Sequence, residues 1–158
     1  MKDVKTGTLA EVPSGALRDR APAGIRPIVL IGEDDPDIQE AVSELLDSAG
    51  YEVIRAGDGR EMAAVLDGGL RPAVILLDLM MPGVNGHDFL AWRGVRPDLL
   101  RIPVVVFSAS DFDEVLIRTQ MISALLVKPA TAQQLLSAIS QAASTGKLAA
   151  GASQRPPS

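Results

Sequence analysis

The stretch VILLDLMMPGVNG, residues 74–86, runs four apolar residues into a single carboxylate, Asp78, and then turns through Met81-Pro82-Gly83. An unbroken apolar run of this length suits a strand buried on both faces; a strand with one face in water would alternate. The strand read here is AVILLDL (73–79), and four related runs lie around it: PIVLIG (27–32), YEVIRA (51–56), IPVVVFS (102–108) and ALLVK (124–128).

Each run precedes a stretch with helical spacing: 36–50, 58–69, 86–95, 111–121 and 131–144. In the first, Ile38, Val42, Leu45, Leu46 and Ala49 recur at three and four residues and form one apolar face. Asp58 and Thr131 stand where N-caps belong, and Gly50 and Gly146 where helices are expected to end. Five apolar strands alternating with five helices predict a doubly wound α/β domain, a five-stranded parallel sheet covered on both faces.

Residues 1–26 and 146–158 show little periodicity and read as flexible tails, leaving one domain over 27–145. That middle carries 8 Lys/Arg against 17 Asp/Glu, a net −9. The acidity argues against a nucleic-acid surface, which needs clustered cations, and favours a cation, a basic ligand or a protein partner. The absence of Cys excludes disulfides and thiolate metal sites. With no apolar run long enough to span a bilayer and no signal-peptide core, a cytoplasmic protein is expected.

Ligand sites in doubly wound folds lie beyond the carboxyl ends of the strands, where strand order reverses. The residues at those ends are Glu33, Asp34 and Asp35, then Asp78, Ser108 and Lys128. Two carboxylates about 4 Å apart repel by roughly 4 kcal/mol at an effective dielectric of 20, so a cation must balance them. Mg²⁺ suits an oxygen-only set, and Lys128 adds a second positive charge. The chemistry this allows is phosphoryl transfer: Asp78 as nucleophile, Mg²⁺ on Asp34 and Asp78, and Lys128 and the Ser108 hydroxyl on the phosphoryl oxygens.

Taken in order, GEDDPDIQEAVSELLDSAGYEV, LLDLMMPGVNG, VVVFSAS and LVKP resemble the successive motifs of response-regulator receiver domains over about residues 27–145. The resemblance implies the flavodoxin-like form of the fold, with Asp78 as phosphoacceptor. It also implies Glu33 and Asp34 as the acidic pair and the Met80 backbone carbonyl as a further metal ligand. Asp35 and Asp37 are expected as solvated residues at a helix start, His87 as an exposed helix start, and Met80 and Met81 as loop and packing residues.

Two features depart from the family. Receivers pair the strand-four hydroxyl, here Ser108, with an aromatic switch on strand five, where this chain has Leu125. The span from Ser108 to Lys128 is also shorter than usual, so an altered fourth helix is expected. With only a short segment after the last helix, the expected role is a stand-alone regulator. It would take phosphate from a histidine kinase or phosphotransfer protein and act on a downstream protein. Two alternatives remain: a receiver-like interaction domain that works without phosphorylation, and a haloacid dehalogenase-type phosphatase using Asp35-Pro36-Asp37.

Overall fold

The computed structural model describes residues 26–81, 83, 86–108 and 122–154. Its strands are β1 (Ile28–Gly32), β2 (Glu52–Ala56), β3 (Val74–Leu77), β4 (Val104–Ser108) and β5 (Ala124–Val127). The helices among the described residues are α1 (Pro36–Ser48), α2 (Gly59–Asp67), α3 (Gly86–Gly94), a single turn α4 (Pro97–Leu100) and α5 (Ala132–Gln154). The helix expected over 111–121 lies outside the described residues.

All strands are parallel, in the order β2-β1-β3-β4-β5. Successive side chains of the central strands point to opposite faces, which sorts their apolar residues into two cores. Leu30, Ile75, Leu77, Val104 and Val106 pack with Met62 and Leu66 of α2 and Phe89 and Leu90 of α3. Val29, Ile31, Val74, Leu76, Val105 and Phe107 pack with Val42 and Leu46 of α1 and Leu135, Ile139 and Ala142 of α5. Both faces are covered, as the unbroken apolar runs require.

Helix ends follow local chemistry. Asp35 caps α1 by accepting from the Asp37 and Ile38 N–H groups at 2.9 and 3.3 Å, ahead of Pro36. At the other end Gly50 takes φ 100°, its N–H reaches the Asp47 carbonyl, and the Tyr51 N–H reaches that of Leu46. That is the paired C-terminal closure which favours glycine. Thr131 and Gln134 bond reciprocally at the start of α5, a capping box.

Three boundaries differ from the sequence reading. α5 continues past Gly146 and Gly151 to Gln154; each glycine inside a helix costs about 1 kcal/mol, and Lys147, Leu148, Ala149 and Ala150 between them are good helix formers. The turn α4 was not anticipated, because four residues show no periodicity. Arg26, read as the end of the amino-terminal tail, is tied into the domain: its guanidinium donates to the carbonyls of Asp47, Gly50 and Tyr51 and to the Asp47 carboxylate.

Candidate functional site

The crossover from β1 leads outward to β2, and the path from β3 leads to β4 on the other side. The loops after β1 and β3 therefore diverge and leave a crevice at the carboxyl edge. Glu33 and Asp34 follow β1, and Asp78 follows β3 by one residue, held in line by its N–H on the Gly32 carbonyl at 2.9 Å. One oxygen from each of these three carboxylates lies within 4.8 Å of the others. Glu33 and Asp78 are buried, whereas Asp34 is exposed.

Lys128 reaches into this group from the end of β5. Its Nζ donates to Glu33 Oε1 at 2.8 Å and to Asp78 Oδ2 at 3.2 Å. Its backbone N–H bonds the Ser108 carbonyl at 2.8 Å, and the Lys128–Pro129 peptide is cis. The other Asp78 oxygen accepts from the Met80 N–H at 3.0 Å. Glu33 Oε2 accepts from the Asp35 N–H at 3.2 Å. The Phe107 ring centroid lies 5.1 Å from the same Nζ.

The electrostatics follow from one ammonium shared by two buried acids. Burial pushes the Glu33 carboxyl up, the Asp78 charge adds to that, and the Lys128 bond only partly offsets it. Burial also pulls the Lys128 ammonium down, but Glu33 and Asp78 outweigh it and hold it above the ordinary lysine value. Three carboxylates against one lysine leave the cluster two charges negative when ionised. A divalent, oxygen-seeking cation fits that excess.

Ser108 closes β4, fully buried, and its Oγ has no hydrogen-bond partner among the described residues. A buried hydroxyl without a partner is rare, and this one lies at the strand edge that carries the acids. Leu125 is half-buried on β5 and packs into the core shared with α2 and α3, on the opposite face of the sheet from Phe107.

The expected residues thus separate. Glu33, Asp34, Asp78 and Lys128 come together, with Met80 present through its backbone and its side chain exposed. Met81 is in the core, and His87 is exposed at the start of α3. The Asp35 carboxylate is engaged as the cap of α1, the solvated role expected of it and a poor one for the nucleophile of a haloacid dehalogenase.

Sequence reasoning gives no role at the site to three residues. Gly86 begins α3 so close to the acid loop that a Cβ there would lie 2.5 Å from Leu79 Cα and 2.7 Å from the Asp78 carbonyl oxygen. Gln39 on α1 donates to the Glu33 and Ala56 carbonyls at 3.0 and 3.3 Å, fixing the acid loop against the end of β2. Phe107 meets Lys128 only through sheet register. Gly86 had a signal, the glycine eight residues after Asp78 in the opening stretch; the other two had none.

A doubly wound sheet with an acid–lysine cluster at its switch point belongs to the class of small α/β domains that bind ligands at the carboxyl edge. The comparisons specify which. The model of the response regulator receiver domain matches residues 29–140. The DNA-binding response regulator MtrA of Mycolicibacterium smegmatis is 37% identical over 86 residues, 54% of this chain and 36% of its own length. The positive alginate biosynthesis regulatory protein of Pseudomonas aeruginosa is 31% identical over 134 residues, 82% of this chain and 52% of its own. Among solved structures, the chemotaxis response regulator CheY4 of Vibrio cholerae superposes with a TM-score of 0.68 at 28% identity, covering 75% of this chain and 99% of its own.

The chain belongs to the response regulator receiver domain family, the phosphorylated signalling domains of two-component systems. It spans about a third to a half of the length of these two curated relatives. Among the described residues, no helix is long and apolar enough to cross a membrane.

Proposed function

We propose that this chain is a receiver that accepts a phosphoryl group on Asp78 and signals through a protein partner. The observation that carries the reading is the conjunction at the sheet edge: buried Asp78, Lys128 3.2 Å from its Oδ2, and the Ser108 hydroxyl, without a partner among the described residues.

Asp78 attacks the phosphorus of a phosphohistidine on a kinase or phosphotransfer protein. The new O–P bond forms as the P–N bond breaks, and the histidine nitrogen leaves with the electron pair. Lys128 and the Ser108 Oγ–H bind the phosphoryl oxygens, so an ammonium now shared by two acids gains a third anionic partner. Glu33, Asp34, Asp78 and the Met80 carbonyl would hold Mg²⁺, which when bound supplies charge neutralisation for the transferring group.

Transfer places about −1.5 to −2 charges where one carboxylate stood, together with new acceptor oxygens. Leu125 replaces the family's aromatic at the strand-five position. The response therefore runs through aliphatic repacking against the α2–α3 core, with no ring rotation. A protein acceptor, with no nucleic acid involved, suits the acidity of residues 27–145. The DNA-binding role in the name of MtrA belongs to a protein of which this chain spans 36%.

The test is exposure to acetyl phosphate, or beryllofluoride, with Mg²⁺ for wild type and Asp78→Asn, read by intact mass and amide NMR shifts. Wild type gains one phosphoryl mass and the variant none. Phosphorylation of Asp78→Asn, or of another residue in wild type, sinks the assignment. A wild type that takes up no phosphoryl group, yet still binds partners, would instead mark a phosphorylation-independent interaction domain.

A further inference from the structure

Lys128 has three ammonium donors, and two of them are accounted for by Glu33 and Asp78. The ammonium also lies 5.1 Å from the centroid of Phe107, within the range at which an aromatic face attracts a cation. Phe107 cannot easily drift away. It sits in β4 one residue before Ser108, pairs in register with Leu126, and is buried in the core built with α1 and α5. Its ring also lines the small cavity that Glu33, Asp78, Ile38 and Val42 close beside the site.

We propose that Phe107 is a positioning residue for phosphoryl acceptance: its ring face holds the Lys128 ammonium over Asp78 while the ammonium's acid partners change. The inference rests on the reading of Asp78 as phosphoacceptor. Glu33 and Asp78 bind the ammonium, and the same two carboxylates would be ligands of a divalent cation. Among the described residues, the ring is the one contact of the Lys128 ammonium that neither a metal ion nor a phosphoryl group competes for, because it is uncharged and coordinates neither. It therefore preserves the location of the ammonium through a step in which every ionic contact is redrawn. Attraction to a ring quadrupole is electrostatic, so it weakens as the ring is fluorinated, whereas apolar packing at the same position does not.

The experiment replaces Phe107 with mono-, di- and trifluorophenylalanine and, separately, with Leu, and measures the rate of acetyl phosphate-driven modification of Asp78 at saturating Mg²⁺. Thermal melting of each variant runs alongside as the control for folding. The expected result is a stepwise fall in rate along the fluorinated series, reaching roughly three- to tenfold in the trifluoro and Leu variants. Melting temperatures of the fluorinated proteins stay level, and Phe107→Trp keeps or exceeds the wild-type rate. A rate indifferent to fluorination overturns the proposal even if Phe107→Leu is slow, because the ring would then act by packing alone. A wild type that is not modified at Asp78 removes both this inference and the proposed function, whereas modification insensitive to fluorination removes only the inference.

Discussion

Lys128 Nζ lies 2.8 Å from Glu33 and 3.2 Å from Asp78, so a single ammonium is the counter-charge of two buried carboxylates supplied by different strands. Removing it leaves both acids facing each other without compensation. Lys128→Met is expected to lower stability at neutral pH by up to about 3 kcal/mol, the lower part of the range for breaking a buried pair, because the lysine keeps some solvent access. Urea denaturation with and without Mg²⁺ checks this. If the site holds the ion, Mg²⁺ recovers part of the loss; an unchanged midpoint would mean that the acids were never dependent on the lysine.

Acid titration should carry the signature of Glu33. Burial holds its folded-state carboxyl above the ordinary 4.5, so the folded chain binds a proton there that the unfolded chain has released. Stability from this group is therefore present at low pH and is lost as pH rises through the folded value. Glu33→Gln removes the titration, and its melting temperature should decline less than that of wild type just above pH 4.5. At the alkaline end the sign for Lys128 is that of a base held above 10.5: its contribution is complete below that value and disappears as pH climbs through the folded one.

Ser108→Ala should separate folding from chemistry. The wild-type hydroxyl is buried with no partner among the described residues, so deleting it is expected to be neutral or stabilising by up to about 1 kcal/mol. Beryllofluoride affinity should fall at the same time, because an oxygen of the mimic loses its strand-four donor. A destabilised Ser108→Ala with unaltered affinity would contradict the role given to the hydroxyl.

Gly86→Ala is expected to cost about 1–3 kcal/mol through overpacking, since the atoms its Cβ would meet first are the Leu79 Cα and the Asp78 carbonyl oxygen, both backbone. Denaturant midpoints measure the loss, and NMR shifts at residues 78–80 should record displacement of the acid loop. Gly69→Ala is the instructive contrast. Its Cβ would meet open space, so any penalty there comes from φ +107° alone.

The strand layer was legible because burial on both faces writes itself as unbroken apolar sequence. The runs ending at Gly32, Leu79 and Ser108 identify the central strands to within two residues at either end. Parallel order placed their polar followers along one edge, so Glu33, Asp34, Asp78, Ser108 and Lys128 could be named before their distances were known. What stayed hidden depends on cross-chain geometry. Phe107 looks like one more core residue until register sets it beside Lys128, and Gln39 like a surface helix residue until its amide is seen bridging Glu33 and Ala56. Gly86 opens the helical stretch 86–95 in the sequence, but only the packing of α3 against Leu79 shows why a methyl group is excluded.

Arg26 bears on how this domain can be cut from a longer chain or fused to another. Hydropathy places the start of the fold at Pro27, yet the preceding guanidinium bonds the Asp47 carbonyl in the last turn of α1, that of the closing Gly50 and that of Tyr51. A fragment beginning at Pro27 would keep every strand and every acid of the site but leave those carbonyls to water. It should melt below one beginning a few residues earlier, with phosphorylation chemistry unaffected. These contacts lie at the sheet pole opposite Asp78, so a reporter attached at Arg26 would join the domain remote from the acid edge.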